Sequence, residues 1–144
     1  MNLKNFFIIL TLLFSSFFSS LYAIEEKDFV GMWEGIDQQG RKVAFLFQKE
    51  GYLTIITSKK VIGGQAGTED GLKTSFKYSF DANQNPIHLD FSQTKGEKTE
   101  TVKLLARFID PYRLLLYGEG DANNRPAKIN FNDSKNLVIL FKTY

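Results

Sequence analysis

His88, Asp90 and Ser92 stand at alternate positions of one short segment, and a hydroxyl, an imidazole and a carboxylate are the ingredients of acyl transfer. Their spacing decides against that chemistry. In an extended chain, successive same-face residues lie about 6.6 Å apart and project in the same direction, so the three side chains do not converge for two hydrogen bonds. The expected role is a solvated polar face, with His88 and Asp90 paired. The glycine-rich stretch Val61-Ile62-Gly63-Gly64-Gln65-Ala66-Gly67 lacks the Lys-Ser/Thr pair and the following helix that a phosphate loop needs. It reads as part of a loop over residues 59–71, placed to act as a lid. Residues 118–124 carry oxygen ligands at alternate positions, as a Ca²⁺ loop would, but without a bidentate Glu at the proper offset. Asn132-Asp133-Ser134 fits a glycosylation acceptor, which matters only in a eukaryotic secretory pathway. With one His and no Cys, the chain has no thiolate metal site, disulfide, Cys nucleophile or lipidated N-terminal cysteine. No acid, base and nucleophile converge, so a non-enzymatic protein without cofactor or metal is expected.

Composition narrows the class further. The 144 residues are 43% hydrophobic and 15% aromatic, which excludes a disordered or collagen-like chain. Lys+Arg 18 against Asp+Glu 16 leaves no strong field to attract nucleic acid. The first 23 residues have the form of an export signal: Lys4, an apolar run over residues 6–14, then small residues at Ser15, Ser16, Ser19, Ser20 and Ala23. Cleavage is placed after Ala23, with Ser20 as the alternative. An uncleaved anchor is the competing reading, since a bilayer span needs roughly 20 residues, but four serines and the acidic Ile24-Glu25-Glu26 exit weaken it. The product would be a single periplasmic or secreted domain, residues 24–144, with no membrane span after cleavage.

The pattern within that domain has period two. Leu72, Thr74, Phe76, Tyr78 and Phe80 alternate with Lys73, Ser75, Lys77 and Ser79, and Ile87, Leu89 and Phe91 alternate with His88, Asp90 and Ser92. Strands are predicted over residues 32–37, 42–48, 52–58, 72–80, 87–92, 101–109, 113–118, 127–131 and 137–144. Short Gly, Asn, Asp and Pro turns separate them. Such short links favour antiparallel pairing, because parallel strands need crossovers of about a dozen residues or more. The predicted fold is all-β, an antiparallel up-and-down barrel of about 8–9 strands that closes to remove its edges, with a two-sheet β-sandwich as the alternative. Phe45, Phe47, Phe76, Tyr78, Leu89, Phe91, Leu104, Leu116 and Phe131 are expected to line the interior. Leu46, Leu105, Leu115, Tyr117, Val138 and Leu140 fall on the opposite phase, to be covered by a neighbouring segment or exposed as an interface.

The run Asp28-Phe29-Val30-Gly31-Met32-Trp33-Glu34-Gly35 resembles the opening of the calycin superfamily, the lipocalins and fatty-acid-binding proteins, with its Gly-x-Trp on the first strand. Tyr78-Ser79-Phe80-Asp81, Pro86-Ile87-His88-Leu89-Asp90, residues 114–116 and Arg125-Pro126 before Phe131 also resemble small exported bacterial lipocalin-like domains of unassigned function. The resemblance implies that Trp33 lies across one end of the barrel beneath a cation, for which Lys142 and Arg125 are both candidates. A cation over an indole face contributes about 0.5–2 kcal/mol. It also implies a small apolar ligand inside the barrel. The competing reading is a barrel filled by its own aromatic side chains, acting through its surface on a protein partner in the cell envelope.

Overall fold

Alternating apolar and polar side chains give each strand one face to bury, and the chain does so by rolling a single antiparallel sheet around its aromatic residues. The computed structural model describes residues 23–37, 40–119 and 123–143. The expected export signal, apart from Ala23 at its end, and residues 120–122 of the oxygen-rich run therefore lie outside the described residues. A short helix, α1 (Glu26–Phe29), precedes the strands β1 (Gly31–Ile36), β2 (Lys42–Phe47), β3 (Leu53–Thr57), β4 (Val61–Gly63), β5 (Gly67–Glu69), β6 (Leu72–Asp81), β7 (Ile87–Lys95), β8 (Lys98–Asp110), β9 (Arg113–Tyr117) and β10 (Leu137–Thr143). They form one sheet in the order β4-β3-β2-β1-β10-β9-β8-β7-β6-β5, with β1 and β10 paired antiparallel. The result is an antiparallel, nearly closed ten-stranded barrel. No helix among the described residues is long and apolar enough to cross a membrane.

Closure is made by backbone at the seam. Tyr52 and Lys77 form an antiparallel bridge, the Gly64 N–H donates to the Leu53 carbonyl at 2.8 Å, and the Phe76 N–H donates to the Gly64 carbonyl at 3.1 Å. Residues 64–66 thus carry the chain from the β3 side to the β6 side. Gly63 makes that passage possible: a Cβ there would sit 2.4 Å from the Leu53 carbonyl oxygen and 2.9 Å from the Phe76 Cβ. From this point β4 and β5 diverge, each held on its outer neighbour only, with Thr54 opposite Gly63 and Gly67 opposite Thr74.

Two expectations about elements need correction. Residues 59–71 are not one irregular loop, because they contain β4 and β5. Asp70 and Gly71, with φ 52° and 77°, supply the two positive-φ positions of a tight hairpin turn between β5 and β6. Conversely, residues 127–131 form no strand. β9 and β10 pair with one another directly, Val138 opposite Leu116 and Leu140 opposite Leu114, so the sheet has no slot between them. Residues 123–136 instead run over the outer wall. Ile129 there is buried with Leu105, Leu115 and Tyr117, and Leu137 packs against the same cluster. This strap covers the apolar outer phase of β8 and β9. Val138 and Leu140, also expected on the outer phase, turn inward instead: opposite residues of an antiparallel ladder share a face, and their partners Leu116 and Leu114 are core residues.

The floor of the barrel is an aromatic plug. Phe29, delivered by α1, is fully buried between Phe80 and Phe108, with ring centroids 4.8 and 4.9 Å away. Trp33 lies 5.9 Å from Phe108, and its indole N–H donates to the Phe29 carbonyl at 2.6 Å. Phe47 meets Tyr78 edge-on at 4.9 Å, and the Tyr78 hydroxyl donates to the Gln48 carbonyl. The bulky rings thus fill one half of the barrel and satisfy their own polar atoms.

Candidate functional site

Above the plug the barrel is not filled. A cavity of about 310 Å³ opens at the end where β1 and β9 finish and β10 begins. Its wall is made by Val43 and Phe45 on β2, Phe91 on β7, Leu104 on β8, Leu116 on β9 and Val138 on β10. Each faces inward because its strand alternates in phase with a buried neighbour: Phe45 with Phe47, Phe91 with Leu89, Leu116 with Leu114. Asp37, Lys135 and Asn136 stand at its mouth. The Asp37 carboxylate is engaged by Arg41, whose Nε donates at 2.8 Å, so one side of the mouth is an internally neutralised ion pair. The volume lies at the lower end of the roughly 300–1,000 Å³ usual for small-molecule sites, and the lining chemistry is dispersion and apolar burial rather than proton transfer.

Of the residues expected in the interior, Phe45, Phe91, Leu104 and Leu116 line this cavity. Phe47, Tyr78 and Leu89 belong to the packed core below it. Phe76 packs on Phe91 at 6.3 Å and faces a neighbouring cleft of about 340 Å³ between the diverging β4 and β5. Phe131 is a correction. It is 62% exposed on the strap, with the Arg107 guanidinium 5.9 Å from its ring centroid, because the segment that was to bring it inside never enters the sheet. Val43 and Val138 also line the cavity; Val43 was not among the expected lining residues, and Val138 was expected on the outer phase. Val43 was recoverable, being two residues before Phe45 on the same phase.

The two cations proposed for Trp33 have separate roles. Lys142, on β10 directly opposite Trp33, holds its ammonium 5.0 Å from the ring centroid and donates to the Asp28 carbonyl at 3.2 Å. Arg125 does not approach the indole. It pairs with Asp90 at 2.5 Å and donates to the Leu89 and Leu104 carbonyls on the β7–β8 wall, fastening the start of the strap. Hydrogen bonds to a charged group typically contribute about 1.5–3 kcal/mol. Asp90 is therefore committed to Arg125 rather than His88, and the Ser92 hydroxyl is bonded to that of Thr101 at 2.8 Å, so the alternating trio forms no relay.

The far end of the strap is tied near the mouth. The Tyr117 hydroxyl lies 3.2 Å from both Glu119 Oε1 and Asp133 Oδ2, so its single proton is shared between two acceptors. Asn136 Nδ2 donates to the same Asp133 oxygen at 2.8 Å. This bond, the largest influence, holds the Asp133 carboxyl below the usual carboxylate range. Burial, then Glu119 and Asp133, push the Tyr117 phenol up to about 12. Among the described residues no group of three or more His, Asp or Glu side chains gathers to hold a metal ion.

A larger hollow of about 750 Å³ lies outside the opposite end, between Ile24, Phe108, Pro111 and Tyr112. It sits beside the base, where Lys142 covers Trp33, rather than within the strands. No family model matches this chain, and no curated protein or solved structure matches it either.

Proposed function

We propose that this is an exported, non-enzymatic binding protein, lipocalin-like in its barrel, that holds a small apolar ligand in the open half of its interior. One observation carries the reading: the interior is divided, with a self-satisfied aromatic plug below and a hollow of about 310 Å³ above, walled by Phe45, Phe91, Leu104 and Leu116. An apolar molecule entering there loses contact with water and gains dispersion contacts, while the plug beneath stays in place. The position of Trp33 under Lys142 agrees with the calycin resemblance of the first strand. The apolar run and small residues that precede Ile24 support export.

Titration with a fluorescent fatty acid tests this on the protein as its host produces it. Saturable uptake at one site is expected, and Phe91→Trp, which adds bulk to the cavity wall, should weaken it by about tenfold or more, roughly the 1.4 kcal/mol that a lost fit represents. Uptake that ignores Phe91→Trp, or no uptake, would reject the interior site. Native mass spectrometry of the same material gives the mass of any resident ligand.

A further inference from the structure

The strap covers only part of the apolar outer wall. On β9 Leu115 is buried beneath Ile129, but among the described residues the wall continues beyond the strap, with exposed apolar side chains on β10 and β1 and partly exposed ones on β2 and β3. One row across it reads Phe141, Glu34, Ala44 and Ile56, in successive register. Beside that row Ile36 and Ile139 border a shallow groove of about 490 Å³. Ile36, Phe141 and Ile139 are 63%, 54% and 38% exposed. A cluster of exposed apolar side chains beside a groove marks a contact face.

Two charges sit within the patch, and they identify the partner. Glu34 on β1 faces outward beside Phe141 and Ala44, and Lys42 on β2 is paired in register with Ile36, two residues along from Glu34's own partner. Neither makes an ion pair among the described residues. A lipid surface would leave the Glu34 carboxylate unsatisfied in hydrocarbon. We propose that this wall pairs face to face with a second copy of the chain. The two-fold axis lies in the interface and bisects the line from Glu34 to Lys42. That one operation sets Glu34 against the partner copy's lysine and Lys42 against its glutamate, while Ile36, Ile139 and Phe141 pack at the centre. The proposal is independent of the cavity, which opens at the end of the barrel and not on this wall.

Sedimentation velocity over a micromolar concentration series, on the protein as its host produces it, tests the arrangement. A reversible monomer–dimer equilibrium is expected, and Ile36→Asp should abolish it. E34K or K42E alone places like charges in contact twice per dimer and should raise the dimer Kd about tenfold or more, whereas the double swap E34K/K42E should return it to within about threefold. Both charges are on exposed strand positions, and near-UV circular dichroism checks that each variant is folded. Should a charge swap fail to fold, E34Q/K42Q replaces it and is expected to weaken the dimer and flatten its salt dependence. A protein that stays monomeric throughout the series overturns the proposal, as does a dimer that is indifferent to E34K or is not restored by the double swap.

Discussion

Tyr78 and Tyr117 show how position alone changes the chemistry of one residue type. Burial, with Glu26 as the second influence, pushes the Tyr78 phenol up to about 12, and Tyr117 reaches about the same value through burial and its two carboxylate acceptors. In the unfolded chain each would ionise near pH 10. The neutral phenols therefore stabilise the fold fully below pH 10. Between pH 10 and 12 the unfolded chain sheds its protons first, and stability falls as pH rises. Tyrosinate absorbance of the folded protein should keep growing from pH 10 to 12, with a smaller late step in Tyr78→Phe and in Tyr117→Phe. A titration complete by pH 10.5 would show that neither hydroxyl is held as described. Loss of the Tyr117 proton would also set three negative oxygens together at the mouth, so the strap's far end should loosen first.

At the scale of elements the strap is the unusual piece, because it buries apolar side chains on the outside of a barrel. Arg125 fastens one end to the β7–β8 backbone, Ile129 plugs the middle, and Tyr117 with Asp133 holds the other end. Ile129→Ala removes the central contact and should cost about 2–3 kcal/mol, near the lower end for a buried Ile because the site lies close to the surface and can partly collapse. Hydrogen exchange should then accelerate in residues 123–136 and on β9, but not in β2 or β3. An equal acceleration everywhere would mean that the strap is part of the main cooperative core and not a separate layer.

For the whole molecule the division between plug and hollow makes a contrast that can be measured. Phe47 is fully buried in the plug, so Phe47→Ala should cost about 3–5 kcal/mol through lost contacts and a new cavity. Phe45, two residues earlier on the same face, already borders open space. Phe45→Ala enlarges an existing hollow and should cost about 1–2 kcal/mol, below the usual range for a core aromatic. Chemical denaturation of the two variants checks this, and similar losses at both positions would mean that the upper half is packed like the lower.

Much of this architecture was legible before any coordinates, because a period of two is a local property: side chains of a strand alternate whatever it pairs with. Eight of the strands, the inward phase of Phe45, Phe47, Tyr78, Leu89 and Phe91, and the antiparallel barrel itself follow from that alternation and from short turns. Asp70-Gly71 was a further local signal for the β5–β6 hairpin, and its place inside the segment read as one loop, residues 59–71, hid it. What depends on distant partners was not legible. Residues 127–131 alternate as a strand does, and only the direct pairing of β9 with β10 expels them onto the outer wall and Phe131 with them. The choice of Lys142 over Arg125 for Trp33 depends on the β1–β10 register, which joins residues more than a hundred positions apart. Composition counts the aromatic rings, but only the tertiary structure, by gathering them at one end, leaves the other end open.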